Sequence, residues 1–187
     1  PHRTAGTAVQ AGRRPRVGGR DAPVLPPPGR LILTGMLTIT QAIYDQIVAH
    51  ARKDHPDEAC GAVAGPEGSD RPERFIPMLN AERSPTFFRY DPNDLIKLDN
   101  DMRNRGEEPV IFYHSHTATE AYPSRTDISY ANEPRAHYVV VSTADTEGLG
   151  DFQFRSFRII KADLLDEVGE VTEEEVRVVT GYDQDPA

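Results

Sequence analysis

His114 and His116 stand one residue apart after an apolar run of Val110, Ile111, Phe112 and Tyr113. That run reads as a buried strand. Side chains alternate across a strand, so the two imidazoles leave it on the same side. Two neutral imidazoles converging in this way begin a metal site, and Asp127, eleven residues after His116, can complete it. Two His and one carboxylate, with a fourth position left for water, is a catalytic zinc pattern; structural zinc sites fill all four positions. The plainer reading, a pair of satisfied core or surface histidines, covers most isolated His-x-His pairs. The strand end and the nearby Ser124-x-x-Asp127 weigh against it here.

Two further residues give such a centre something to do. Ser124 lies one helical turn before Asp127, so its hydroxyl can face the same pocket and bond the zinc-held water or steady a tetrahedral oxyanion. Glu58 opens the small-residue run Ala59 to Gly65. There it would take a proton from the water and hand it to a leaving amine, the logic of metal-assisted amide hydrolysis. A buried carboxylate is costly without a partner or a task, and the bland alternative for Glu58 is an exposed charge at a strand end. Cys60, on the same face two residues on, reads as a small buried apolar residue. Rival chemistries fit less well. A three-histidine site would need His137, the remaining strand histidine. A Ser-His-Asp triad would leave one histidine idle and lacks the Gly-x-Ser-x-Gly elbow. A non-haem iron triad uses the same ligand types, often with the carboxylate between the histidines, and ranks below zinc.

The elements that must position these residues can be read in order. Leu37 to Ile39 is a short strand, and Thr40 is a suitable N-cap for an amphipathic helix from Gln41 to about Lys53, with Ile43, Ile47, Val48 and Ala51 on one stripe. His55-Pro56 ends that helix. Small side chains in the next strand, around Cys60 to Gly65, allow close approach of a neighbouring backbone. Strands are expected at Phe75 to Leu79 and at Phe87 to Tyr90. Asp91-Pro92 starts a helix that Gly106 stops. Ser124 or Thr126 caps a short helix holding Asp127, whose first-turn position favours the ionised carboxylate. His137 to Ser142 and Phe152 to Ile160 are further strands, while Leu164 to Val168 and Glu174 to Val179 are elements of undecided type.

Composition bounds the partners. The formal charge is -9, and a basic face for nucleic acid is not in evidence. Residues 1–35 hold six Arg and one Asp, so the remaining 152 carry -14. That first stretch is rich in Pro and Gly and is expected to be a disordered basic extension. The domain is expected over 36–168, with a C-terminal strand and tail over 169–187. One cysteine excludes an internal disulfide or a cysteine zinc cluster. No apolar run approaches a bilayer span, and no continuous apolar segment of a signal peptide precedes Pro23. The expectation is a soluble cytoplasmic protein, binding neither nucleic acid nor membrane; a homodimer is compatible with it.

Glu58, then His114-x-His116, seven residues, Ser124, two residues and Asp127 together resemble the signature of the JAMM (MPN+) zinc metallopeptidase family. The resemblance covers most of residues 36 to about 165. One departure is Thr117, where many members have proline. The wording from His114 to Asp127 is similar to the actinobacterial Mec branch of that family. The resemblance implies an α/β (α+β) single domain, a cytidine-deaminase-like mixed sheet flanked by helices. It also implies Zn2+ as cofactor and, as partner, a ubiquitin-like sulfur-carrier protein ending in Gly-Gly-Cys. The reaction would release cysteine from that terminus. A broader isopeptidase acting on ubiquitin-like conjugates and a non-catalytic scaffold are the alternatives. Arg83, Arg89 and Arg125 are candidates for gripping the terminal carboxylate, with solvated surface charge as the blander reading.

Overall fold

The computed structural model describes residues 35–144 and 153–182. The extension expected over residues 1–35 falls outside this range except for Gly35, as do the last five residues of the tail. In chain order the elements are β1 Met36–Thr40, α1 Gln41–Asp54, β2 Cys60–Pro66, β3 Arg74–Met78, α2 Pro92–Arg105, β4 Glu107–His116, α3 Arg125–Tyr130, β5 His137–Ser142, β6 Gln153–Ile160 and β7 Glu170–Val179. The seven strands form one mixed sheet in the order β1-β7-β6-β5-β4-β2-β3. β4 pairs antiparallel with β2 and parallel with β5.

Local chemistry explains the helices. Thr40 accepts the Ile43 N–H at the start of α1, and Asp91 accepts from Asn93 and Asp94 ahead of Pro92 in α2. Gly106 ends α2 in the left-handed conformation at φ 66°, which glycine adopts without steric cost. The buried stripe of α1 (Ile43, Ile47 and Ala51) packs with Leu37, Ile39, Val63, Ile111, Tyr113 and Val139. Leu98 and Met102 of α2 pack instead with Cys60, Ala62, Ala64, Met78 and Phe88. Alternation along β2 and β4 therefore assigns one set of residues to α1 and the other to α2.

Close packing around β2 depends on its small residues. A Cβ at Gly61 would lie 2.4 Å from the Tyr113 hydroxyl and 2.6 Å from the Ile76 carbonyl oxygen. Two features depart from expectation. β4 begins at Glu107, and its register against β2 shifts between Val63 and Ala64, so Pro109 enters the sheet at an irregularity, where proline's missing N–H is tolerated. Residues 87–90 form no strand beyond a single bridge between Asn80 and Tyr90. The Asn80 side chain takes over instead: its Nδ2 donates to the Phe87 carbonyl and its Oδ1 accepts from the Arg89 N–H. The undecided segment Glu174 to Val179 belongs to β7, which lies between β1 and β6.

Candidate metal centre

His114 and His116 leave the carboxyl end of β4 on the face opposite α1, each 7% exposed. Asp127 reaches them from the first turn of α3. The His114 and His116 Nε2 atoms are 3.1 Å apart, and each lies 3.3 Å from Asp127 Oδ2. A tetrahedral ion with ligand bonds of about 2.0–2.1 Å needs ligand atoms about 3.3 Å apart. The triangle has that size, so the three residues could hold a metal ion.

Proton positions support the fit. His116 Nδ1 is 2.9 Å from the Glu120 carbonyl oxygen, which can only accept, so Nδ1 is the donor. In the neutral ring Nε2 then carries a lone pair, aimed at a carboxylate oxygen and a second imidazole nitrogen. Acceptors that converge in this way call for a cation between them. Burial alone would raise the Asp127 carboxyl, but when the imidazoles are protonated the His114 charge and the bonds from His114, His116 and Ser124 outweigh it and hold the group well below the usual carboxylate range. His114 stacks on Phe88 at 4.5 Å, which fixes its ring plane.

Ser124 is the N-cap of α3. Its Oγ accepts the Asp127 N–H at 3.2 Å, and its own N–H donates to Asp127 Oδ2 at 2.6 Å. This reciprocal capping box sets the carboxylate toward the histidines. Glu58 is 6% exposed just before β2. Burial pushes its carboxyl up to about 7, with His116 lowering and Asp127 raising it by smaller amounts. It shares a polar cleft of about 210 Å³ with His116, Asp127, Ser124, Thr117 and Thr126. A second cavity of about 260 Å³, walled by Phe88, Tyr90, Phe112, Tyr130 and Tyr138, meets the centre at His114 and Asp127. The structure thus brings together all five residues singled out in the sequence.

Other candidates separate from the centre. His137 lies at the opposite end of β5 and is bonded to Glu174 and Arg158, so it supplies no third imidazole. Cys60 sits fully buried in the apolar cluster, and burial pushes its thiol up to about 12. Arg89 pairs with Glu82.

Residues 40–160 match the model for prokaryotic homologs of the JAB domain, Prok-JAB. The chain belongs to this JAB/MPN family. It is 56% identical over 147 residues to the CysO-cysteine peptidase of Mycobacterium tuberculosis, covering 79% of this chain and 94% of that protein. It is 30% identical over 111 residues to the desampylase of Haloferax volcanii, covering 57% and 80%. Among solved structures it is similar to a protein of Desulfitobacterium hafniense, with a TM-score of 0.62 and 34% identity over 78% of this chain and 94% of that one. A protein of Salinibacter ruber gives 0.55 and 26%, covering 80% and 95%. With this JAB domain the chain is a JAMM-type hydrolase.

Three positions around the JAB centre carried no sequence signal for their roles. Ser115 points away from the metal face and accepts the Ala59 N–H at 2.8 Å, tying the Glu58 segment to β4. Asn80, 3% exposed, donates to the Glu58 carbonyl at 3.1 Å. Glu120 acts through its backbone oxygen, which any residue type would provide. The Thr117 hydroxyl, where many family members carry proline, donates to the Pro85 carbonyl at 2.7 Å and joins the two walls of the cleft.

Proposed function

We propose that this protein is a zinc-dependent peptidase that hydrolyses the C-terminal Gly–Cys amide of a sulfur-carrier protein–cysteine adduct, releasing cysteine. The observation that carries the chemistry is the acceptor triangle of His114, His116 and Asp127 beside a buried Glu58. The carrier assignment rests on the 56% identity to a CysO-cysteine peptidase. Bound Zn2+ would supply Lewis acidity and lower the pKa of a water toward about 7.

The chain's own residues do the rest. Glu58 takes a proton from the attacking water, whose oxygen bonds to the glycyl carbonyl carbon. The C–N bond then breaks, and Glu58 returns the proton to the cysteine nitrogen. The products are free cysteine and a carrier ending in a glycine carboxylate. Ser124 Oγ accepts from the Asp127 N–H, which leaves its own proton to donate to the oxyanion that develops on the carbonyl. The aromatic cavity offers apolar walls to the carrier's tail, while the polar cleft holds the groups that handle water and protons.

The 30% identity to a desampylase supports a second reading, a broader isopeptidase on ubiquitin-like conjugates. One assay separates the two. A carrier ending in Gly-Gly-Cys and a carrier joined through Gly-Gly to a lysine side chain are followed by mass spectrometry, before and after chelation and after zinc is restored. Chelator-sensitive, zinc-restored loss of one cysteine mass from the first substrate alone is the expected result. Cleavage of the lysine conjugate at comparable rates would favour the broader enzyme. Cleavage of neither by zinc-loaded protein would overturn both.

A further inference from the structure

The Glu120 carbonyl that receives the His116 Nδ1–H lies in the segment between β4 and α3, outside any helix or strand. Within that segment the Tyr122 N–H donates to the same oxygen at 2.9 Å, and two further bonds reach the segment from the sheet. The Ser142 hydroxyl donates to the Thr119 carbonyl at 2.7 Å, and the Ala121 N–H donates to Gln153 Oε1 at 2.8 Å. These two bonds grip the residues on either side of Glu120. Ser142 and Gln153 are themselves direct partners across β5 and β6, and Ser142 also pairs with His116 across β4 and β5. Ser142 is 6% exposed and Ala121 fully buried, so one partner of each bond is shielded from solvent. Arg155, two residues beyond Gln153, adds a longer contact at 3.4 Å to the Glu120 carboxylate.

We infer that Ser142 and Gln153 form a two-point clamp that sets the Glu120 carbonyl and thereby holds His116 in the tautomer and orientation a metal ligand needs. Neither side chain bonds a ligand atom of the centre. Both are positioning residues acting through one backbone oxygen, and a flanking bond on each side restrains that oxygen along the chain and in rotation. The inference rests on the metal reading proposed above, yet its first test needs no metal.

In metal-free protein at alkaline pH, imidazole nitrogen chemical shifts report which His116 nitrogen holds the proton. The Nδ1–H form is expected in the parent, and a mixture of tautomers in Ser142→Ala and Gln153→Leu. Zinc affinity, read by competition with a chromophoric chelator, is expected to fall about tenfold in each, the lower end of what such outer partners contribute. Gln153→Glu keeps the acceptor oxygen and should restore both readouts. Unfolding curves of the metal-free variants confirm that they are folded, and should Ser142→Ala fail to fold, the two Gln153 variants decide. An unchanged His116 tautomer in Gln153→Leu, or a Gln153→Glu as impaired as Gln153→Leu, would overturn the clamp. A parent that binds no zinc would defeat the metal reading, while the tautomer measurement still decides the clamp.

Discussion

The hydroxyl of Ser115 accepts the N–H of Ala59 at 2.8 Å, and the Ser115 N–H returns a bond of 2.9 Å to the Ala59 carbonyl. The residue between the two metal-facing histidines thus faces the other way and locks the residue after Glu58. The proposed base and ligands are held in register by one reciprocal contact. Removing the hydroxyl leaves a buried donor unsatisfied, at a cost of about 1–3 kcal/mol. Ser115→Ala should therefore lower stability by that amount in denaturant unfolding and reduce kcat while zinc content is retained. Parental stability and rate together would show that the contact is dispensable.

Glu58→Gln keeps the shape of the side chain and removes its capacity to shuttle a proton. The variant should bind zinc like the parent and lose about 100- to 10,000-fold in kcat, the usual range for a positioned acid–base group. Metal content by elemental analysis and turnover by mass spectrometry check the two halves separately. A Glu58→Gln protein turning over near the parental rate would exclude Glu58 as the base.

His114→Ala, His116→Ala and Asp127→Asn each remove one corner of a triangle whose sides measure 3.1–3.3 Å. Each variant should lose zinc on dialysis and with it all turnover. Asp127→Asn is the most informative, because an amide can still accept the Ser124 N–H while giving up the negative charge. Undiminished zinc retention by that variant would argue against the carboxylate as a ligand.

Stability at acid pH should depend on Glu174. Burial alone would raise its carboxyl, but the bond and charge of His137 and the charge of Arg158 prevail and hold it below the ordinary value of 4.5. Its folded pKa is therefore lower than its unfolded one. The unfolded chain takes up the proton first, so the stability it contributes is complete above about pH 4.5 and is lost as the pH falls through the folded value. Glu174→Gln should flatten this acid limb and lower stability at neutral pH, where it breaks a buried ion pair. Thermal unfolding of both proteins across pH 3 to 7 supplies the comparison (about 4.5 being the reference carboxylate value); identical acid limbs would contradict the assignment.

Much of this centre was legible in one dimension because its parts are local. His114 and His116 share a face through strand alternation alone, and Ser124 with Asp127 forms a capping box within one turn. Helix stripes and caps at Thr40, Asp91 and Gly106 are likewise properties of neighbouring residues. The segment from Phe87 to Tyr90 misled for the converse reason. Its aromatic residues carry strand propensity, but its backbone groups are taken by the side chain of Asn80 across a loop. No count of local preference includes that partner.

Residue types and spacing by themselves pointed to the proposed ligand set, base and chemistry, since these follow from which atoms can hold a metal or a proton. Tertiary structure alone decided how the pieces meet. β4 lies between β2 and β5, so the residue before Ala59 and the first turn of α3 both arrive at the end of one strand. The Glu120 carbonyl, the Ser115 hydroxyl and the Ser142–Gln153 pair join the centre through contacts with partners 4 to 56 residues away, the nearest a backbone oxygen in an irregular segment. Backbone carbonyls and small hydroxyls occur throughout any chain. Only the fold, by setting these particular ones against particular partners, makes them specific.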